Sequence, residues 1–103
     1  MIFEGEYLNG KRNGKGKEYN SYGKLRFEGE YLNGKRNGKV KDYDSYGKLR
    51  FEGEYLKGKR NGKGKEYTQY TGKLIFEGEY LNGNPVDVKE YDEFGNIIDE
   101  INN

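Results

Sequence analysis

The sequence predicts an all-β protein, an elongated single-layer antiparallel β-meander built from tandem two-stranded hairpin repeats. The phrase FEGEYL recurs at Phe3, Phe27, Phe51 and Phe76, with spacings of 24, 24 and 25 residues. Within each unit, short runs of β-forming residues alternate with turn signals that contain Asn and Gly. Glycine, at 17 of 103 residues, recurs too often inside every unit for a helix to form.

The composition agrees with an ordered sheet. An apolar fraction of 31% and a charged fraction of 36% favour disorder when taken alone. However, the aromatic fraction is 16%, and 19 basic residues nearly cancel 18 acidic ones to leave a net charge of +1. Because disordered chains are poor in aromatic residues, we expect an ordered protein held together by aromatic rings rather than by an aliphatic core.

We expect one repeat domain over residues 1–103, with units at approximately 3–26, 27–50, 51–75 and 76–95 and a C-terminal cap at 96–103. In each unit LRFEGEYL is the predicted first strand, NGKRNG the first turn, KGKEY the second strand and NSYGK the second turn. This gives roughly eight strands. NPVDVKEY breaks the fourth unit, so the array is expected to end there, and the cap is either a last strand or a short helix.

Side-chain size and charge suggest a strand register. If Tyr7 lies opposite Gly16, then Glu6 faces Lys17, so that a large ring gains room over a glycine and opposite charges pair. In the following strand pair, the same parity places Gly16 beside Gly29.

The same parity also places Tyr31 beside Gly14. One face of the sheet then carries rows of rings that cover glycines, and the other carries rows of Glu and Lys. The second face also carries Tyr19, Tyr43, Tyr67 and Tyr91. Val40 and Val88 stand where Gly16 stands in the first unit, so the ring packing is expected to differ there.

The aromatic face is a candidate interaction surface. Its predicted residues are Phe3, Tyr7, Phe27, Tyr31, Phe51, Tyr55, Phe76 and Tyr80. Exposed aromatic surface often marks an interface, whereas rings that cover glycines would serve internal packing, and both interpretations stay open.

A second candidate surface consists of the basic residues around the first turn of each unit. They are Lys11, Arg12, Lys15, Lys35, Arg36, Lys39, Lys59, Arg60 and Lys63. If the turns stack along one edge of the sheet, these residues form a ridge that attracts anionic phospholipid head groups, at ~1 kcal/mol per Lys or Arg. The alternative, which carries more weight because the glutamate rows cancel the charge, is a set of solvated turns with weak surface ion pairs.

The run FEGEYLNGKRNGKG at residues 3–16 resembles the MORN repeat (membrane occupation and recognition nexus). The resemblance covers nearly all of residues 1–91, as three good units and one degenerate unit. Tyr stands in place of the usual Trp at positions 7, 31, 55 and 80, and Val40 replaces a motif glycine. The last unit, with its YDEFGNI ending, is also similar to a bacterial variant of the repeat found in antitoxin-like proteins.

The resemblance implies a twisted, elongated sheet and roles in scaffolding, protein association and, in some members, phospholipid contact. We therefore expect a non-enzymatic structural or protein-interaction scaffold module. The alternatives are peripheral binding of anionic phospholipid through the basic turns, and an antitoxin-like or immunity partner role. We expect a protein partner or self-association, more readily at the N-terminal edge of the sheet, and a cytoplasmic location that is peripheral to a membrane in the lipid alternative.

Other functions lack support in the sequence. There is no His or Cys, and the hydroxyl residues of the turns have no visible base, so we expect no catalytic residue, no cofactor and no metal site. The near-neutral charge argues against nucleic-acid binding. The run GKRNGKGK has neither the spacing nor the Ser or Thr of a phosphate-binding loop. No apolar run approaches the ~20 residues of a transmembrane segment, and the first residues do not resemble a signal peptide.

Overall fold

The computed structural model describes residues 2–102 and shows one antiparallel sheet of nine strands that follow one another in chain order. The sheet measures 46 × 31 × 14 Å, and its smallest dimension corresponds to a single layer of strands with side chains on both faces. The predicted single-layer meander is confirmed. Residues 1 and 103, the outer limits of the expected domain and cap, lie outside the described residues.

The strands are regular in length and spacing. They are β1 (Ile2–Leu8), β2 (Lys11–Tyr19), β3 (Leu25–Leu32), β4 (Lys35–Tyr43), β5 (Leu49–Leu56), β6 (Lys59–Tyr67), β7 (Leu74–Leu81), β8 (Asn84–Tyr91) and β9 (Ile97–Asn102). The expected number of eight is one too few, because the segment left open between strand and helix forms β9. Ile97 pairs with Tyr91 in the way that Leu25 pairs with Tyr19.

The first turn of each unit is shorter than predicted. It consists of two residues, Asn9 and Gly10 in the first unit, with φ angles of 51° and 79°. Positive φ at both positions suits the two-residue hairpin turn whose twist matches that of the strands. The rest of NGKRNG, beginning with Lys11 and Arg12, belongs to β2. The basic residues therefore lie on a strand, where successive side chains point to opposite faces.

The predicted register of the first hairpin is wrong by two residues. Gly16 lies opposite Gly5 instead of Tyr7, and Lys17 lies opposite Glu4. Because the error is an even number of residues, the assignment of side chains to the two faces is unchanged.

The shorter turn and a bulge in β2 together cause the difference. The two-residue turn pairs Leu8 with Lys11, and the bulge then shifts the pairing by two positions towards the predicted register. Tyr7 lies opposite Arg12, so four positions along β2 match two along β1. Gly14 lies in this bulge with a φ of 98°, which favours glycine. The Glu6 carboxylate accepts a hydrogen bond from the Lys15 N–H at 2.7 Å and so holds the bulge.

The register predicted for the next strand pair is confirmed. Gly16 pairs with Gly29, and Gly14 pairs with Tyr31. The same pairings recur between β4 and β5 and between β6 and β7, where Val40 takes the place of Gly16 in the first of these pairs. Each sequence repeat therefore pairs with the next one in the same strand register.

Candidate interaction surfaces

The aromatic face contains a continuous chain of rings. Phe3 contacts Tyr7 on its own strand and Tyr31 of the following unit, with ring centroids 5.4 and 5.2 Å apart. All six ring pairs along the chain meet edge to face, a favourable geometry. Phe27 and Phe51 in this chain have no exposed surface. The rings thus link each repeat to the next one.

Glycines provide the space under these rings, as the sequence predicted. A Cβ atom at Gly16 would lie 2.6 Å from the Phe3 ring, closer than packed side chains allow. Where Val40 fills the equivalent space, Tyr55 is only half-buried, whereas Tyr31 and Tyr80 are 4% exposed. The expected local difference in ring packing at Val40 is confirmed.

Arginines cover the outer side of the phenylalanine rings. The guanidinium carbon of Arg36 lies 3.8 Å from the centroid of the Phe27 ring. Arg12 and Arg60 lie at 4.0 and 3.9 Å from the corresponding phenylalanine rings. These distances correspond to cation–π contacts, and the methylene stems of the arginines also shield the rings from water.

Carboxylates complete this layer. The Arg36 guanidinium lies 3.1 Å from Glu18 and 3.7 Å from Asp42, and the Tyr31 hydroxyl donates a hydrogen bond to Glu18. Burial, and then the contact with Glu18, raises the pKa of the Tyr31 hydroxyl. Tyr55 donates to Asp42 in the same way at 2.8 Å. The aromatic face is therefore a small core closed by a polar layer.

The eight residues predicted for the aromatic interaction face divide into three groups. Phe27, Tyr31, Phe51 and Tyr80 are buried, and Phe3, Tyr55 and Phe76 are half-buried. Tyr7, at the N-terminal end, is 59% exposed. Partner contact through this face stays a prediction, and Tyr7 is the ring of this set that is already accessible to a partner.

The opposite face forms an open groove of about 1330 Å³ that crosses the sheet. Its central row alternates glutamate and lysine from strand to strand. The row consists of Glu4, Lys17, Glu28, Lys41, Glu52, Lys65, Glu77, Lys89 and Glu100. The sequence predicted the Glu and Lys rows of this face, and the structure confirms them.

Many groove carboxylates are bound by other groups of the protein. The Glu28 carboxylate accepts a hydrogen bond from the Tyr43 hydroxyl at 2.6 Å, and Tyr91 donates to Glu77 at 2.7 Å. In the row next to the first turns, Glu30 accepts the N–H of Lys39 at 2.8 Å. These carboxylates hold tyrosines and bulges in place.

The groove lysines are exposed and have no close carboxylate. The ion pairs within the described range 2–102 all involve Arg12, Arg36 or Arg60 of the aromatic face. The ammonium groups of the groove lysines are therefore more than 4.0 Å from any described carboxylate oxygen. These lysines are Lys15, Lys17, Lys39, Lys41, Lys63, Lys65 and Lys89. The groove thus offers a series of cations to a ligand.

The structure does not gather the nine predicted basic residues into one ridge. Lys15, Lys39 and Lys63 lie in the groove, and the three arginines lie on the aromatic face. Lys11, Lys35 and Lys59 lie at the edge formed by the first turns, each opposite a leucine. The first turns do stack along this edge as expected, for example through the bond from Gly34 N–H to the Arg12 carbonyl at 2.8 Å.

Two exposed apolar rows were missed in the sequence. Leu8, Leu32, Leu56 and Leu81 precede the first turns and are 47–58% exposed. Tyr22, Tyr46, Tyr70 and Phe94 lie at the tips of the second turns and are 80–88% exposed. An aromatic residue recurs in each second turn, so this row was visible in the sequence as a periodic signal.

The described residues provide no metal site and no membrane-spanning helix. No cluster of three or more carboxylate, His or Cys groups in the range 2–102 could hold a metal ion. No helix in that range is long and apolar enough to cross a membrane.

Comparison with known proteins identifies the family. The profile described as MORN repeat matches residues 3–24, 27–39 and 51–69, which together make up just over half of the chain. A search of curated protein sequences gives no match. The matched segments contain the FEGEYL strands, the two-residue turns and the arginines that cover the rings. The chain therefore belongs to the MORN repeat family.

Proposed function

We propose that this protein is a non-enzymatic scaffold module of the cytoplasm that binds a partner protein along its groove. The observation that carries the proposal is the contrast between the two faces. On the aromatic face the rings and charged groups contact one another, whereas the groove presents lysines with no carboxylate of residues 2–102 within 4.0 Å.

The size and repetition of the groove face suit a protein partner. The face measures 46 × 31 Å, which exceeds the ~800 Å² that each partner contributes to a standard interface. One exposed ion pair contributes only about 0.2–1 kcal/mol, so affinity would arise from several contacts made together. Additional repeats lengthen the groove and so set the length of partner surface that it contacts.

Partner capture with purified protein tests this proposal. The chain is immobilised and partners from the native cell extract are identified by mass spectrometry, then purified and titrated. The variant Lys17→Ala/Lys41→Ala/Lys65→Ala should lose the partner, because three central groove cations are removed. The control Lys24→Ala/Lys48→Ala, which changes exposed turn lysines, should retain it. A partner that binds both variants equally well would contradict the groove assignment.

A second candidate function is peripheral binding to anionic phospholipid. It is favoured by the edge of the first turns, where exposed leucines alternate with lysines in register, as in the pairs Leu8–Lys11 and Leu32–Lys35. Leucines at such an edge suit the acyl boundary, and lysines suit the phosphate groups.

Vesicle sedimentation separates the two candidates. Phosphatidylserine vesicles should sediment the protein at low salt, and added salt should release it, because the attraction is screened. Leu32→Ser/Leu56→Ser should abolish sedimentation, while Tyr46→Ser on the opposite edge should not. If the protein stays in the supernatant with excess vesicles at low salt, the lipid function is rejected.

A further inference from the structure

The outer edge of β1 shares its FEGEYL sequence with three strand edges that are occupied elsewhere in the sheet. Within residues 2–102, β1 pairs with β2 alone. The corresponding edges of β3, β5 and β7, which share the FEGEYL sequence, are occupied by β2, β4 and β6. These three occupied edges show what a strand bound to β1 must offer.

The three occupying strands present five residues in one shared pattern. Tyr31 faces Gly14, Glu30 faces Lys15, and Gly29 faces Gly16. The next two positions of the occupying strand are a lysine opposite Glu28 and a carboxylate residue opposite Phe27. Around β5 and β7 the pattern is the same, with Val40 at the middle position and Asp42 at the last position of one strand. The strands at the three occupied edges thus share the order Gly-Lys-(Gly or Val)-Lys-(Glu or Asp).

Three hydrogen-bond donors of the first unit lack the partners that their equivalents have. The hydroxyl of Tyr31 donates to Glu18, the N–H of Asn33 donates to the Asn13 side chain at 3.2 Å, and the N–H of Gly34 donates to a backbone carbonyl of the preceding unit. In the described part of the chain, the equivalent groups are the Tyr7 hydroxyl, the Asn9 N–H and the Gly10 N–H. No acceptor within residues 2–102 meets these three groups.

The charges of the two sheet edges disfavour pairing between copies of the chain. The groove row begins with Glu4 and ends with Glu100, and neither β1 nor β9 contains a lysine or arginine. Joining the two edges would place acidic strands together, and so would pairing β1 with β1. In antiparallel β1–β1 registers centred on Glu4, Gly5 or Glu6, a glutamate of one copy lies opposite a glutamate of the other, which is destabilising.

We propose that the open edge of β1 binds an extended, lysine-bearing strand of another polypeptide. Its recognition pattern is Asn-Gly-Lys-(Gly or Val)-Lys-(Glu or Asp). The bound strand places its lysines opposite Glu4 and Glu6, leaves room for the Tyr7 ring at its first glycine and accepts a hydrogen bond from the Tyr7 hydroxyl at its carboxylate. Main-chain hydrogen bonds provide affinity, and the alternating side chains provide selectivity. This site lies at the strand edge and is separate from the groove proposed above.

A peptide with the sequence KRNGKGKEY, that of β2 and β6, tests the proposal on the full 103-residue chain. Titration is followed by the amide resonances of the protein, because a short strand loses conformational entropy on binding and its affinity will be modest. The shifted resonances should belong to β1 and the first turn. A peptide with its three lysines changed to glutamate should leave these resonances unchanged.

A charge exchange tests the register. The variant Glu4→Lys should weaken peptide binding by about fivefold, which corresponds to about 1 kcal/mol for reversal of one cross-strand pair. A peptide with glutamate opposite position 4, KRNGKGEEY, should recover the loss. The matched control Glu100→Lys changes the same row at the other end of the sheet and should bind the original peptide as the parent does.

Three outcomes would overturn the proposal. The first is that the peptide shifts the amide resonances of groove residues, and that these shifts are lost in the variant Lys17→Ala/Lys41→Ala/Lys65→Ala. The second is that no amide resonance of β1 shifts at saturating peptide. The third is dimerisation of the chain through β1, detected by sedimentation and abolished by Tyr7→Ser. If the peptide binds β1 and the groove variant also loses no partner, the edge site stands while the proposed groove function falls.

Discussion

Lys17 and Glu18 are neighbours in β2, but they lie on opposite faces of the sheet and in different environments. Lys17 is exposed in the groove, whereas Glu18 is 8% exposed and contacts Tyr31 and Arg36. The same contrast recurs along the sheet. A single layer of strands has no second layer to cover it, so this protein builds a cover on one face from rings, arginines and carboxylates. The other face remains available to a partner.

The largest expected effect of a single substitution is at the centre of the ring chain. Phe51→Ala removes a ring with no exposed surface that contacts Tyr55, Tyr80 and Arg60. We expect a loss of about 3–5 kcal/mol in the free energy of unfolding, measured in urea. The control Lys41→Ala, which faces the groove, should change it by no more than about 0.5 kcal/mol. Similar losses for the two variants would contradict the division between the faces.

Removal of an arginine cover should have an intermediate effect. Arg36→Ala exposes the Phe27 ring and removes a cation near Glu18 and Asp42. We expect a loss of about 2–3 kcal/mol, which combines the cation–π contact with a partly buried charged hydrogen bond. Arg36→Lys should recover little of it, because an ammonium group does not stack on a ring as a guanidinium does. Lys35→Ala, one residue away on the other face, is the control in the same urea titration.

Glu30 is an exception to the division between the two faces, because it lies on the groove side and still has a structural role. Its carboxylate holds the bulge of β4 through the Lys39 N–H, so Glu30→Ala should lower the free energy of unfolding by about 1 kcal/mol. Glu79 is the matched control. Like Glu30, it has a lysine opposite it on one side, Lys63, but on the other side it lies opposite Asp87, a like charge. These two neighbours offset each other, so Glu79→Ala should be close to neutral. Equal losses for the two variants would mean that the bulge contact contributes nothing.

The tyrosine hydroxyls give a test that appears only at high pH. Burial, and then the bond to Glu52, raises the pKa of Tyr67 to about 12, and burial also raises the pKa values of Tyr31, Tyr43 and Tyr80. In the unfolded chain tyrosine titrates near pH ~10. Above that pH the unfolded state loses protons that the folded state retains, so stability should fall as pH rises from about 10 through the folded pKa values.

Urea titrations between neutral pH and pH ~11, combined with phenolate absorbance, measure this effect. The variant Tyr31→Phe/Tyr80→Phe lacks two of the shifted groups and should show a shallower fall. A free energy of unfolding that stays constant over this range would contradict the assigned hydroxyl contacts.

The repeat pattern allowed the fold, the two faces and the β2–β3 register to be predicted, because strict alternation of Phe, Gly and Tyr leaves few arrangements. It did not reveal the bulge at Gly14, which depends on a carboxylate from the neighbouring strand. That bulge and the two-residue turn at Asn9 and Gly10 together set the register of the first hairpin, which therefore differs from the one predicted with a six-residue turn.

The sequence also did not predict that the arginines cover the phenylalanine rings. Arg12 was predicted to lie in the first turn, as part of a basic ridge or of a solvated turn, but the shorter turn places it on a strand and over the Phe3 ring. β9 was left undecided because IIDEIN lacks the phenylalanine and glycine of the repeat. Asp99 stands at the phenylalanine position, as the pairing with Glu90 shows. A charged residue there suits the end of an array, since charged residues on edge strands discourage further pairing.

The triple variant Lys17→Ala/Lys41→Ala/Lys65→Ala tests the central claim most directly. If the aromatic face stabilises the sheet and the groove face is free to bind, the free energy of unfolding of this variant should stay within about 1.5 kcal/mol of the parent value. This limit is the sum of three surface substitutions that change it by about 0.5 kcal/mol each. Partner capture by the same folded variant should be lost. A loss of more than about 3 kcal/mol in the free energy of unfolding, or undiminished partner capture, would contradict the account.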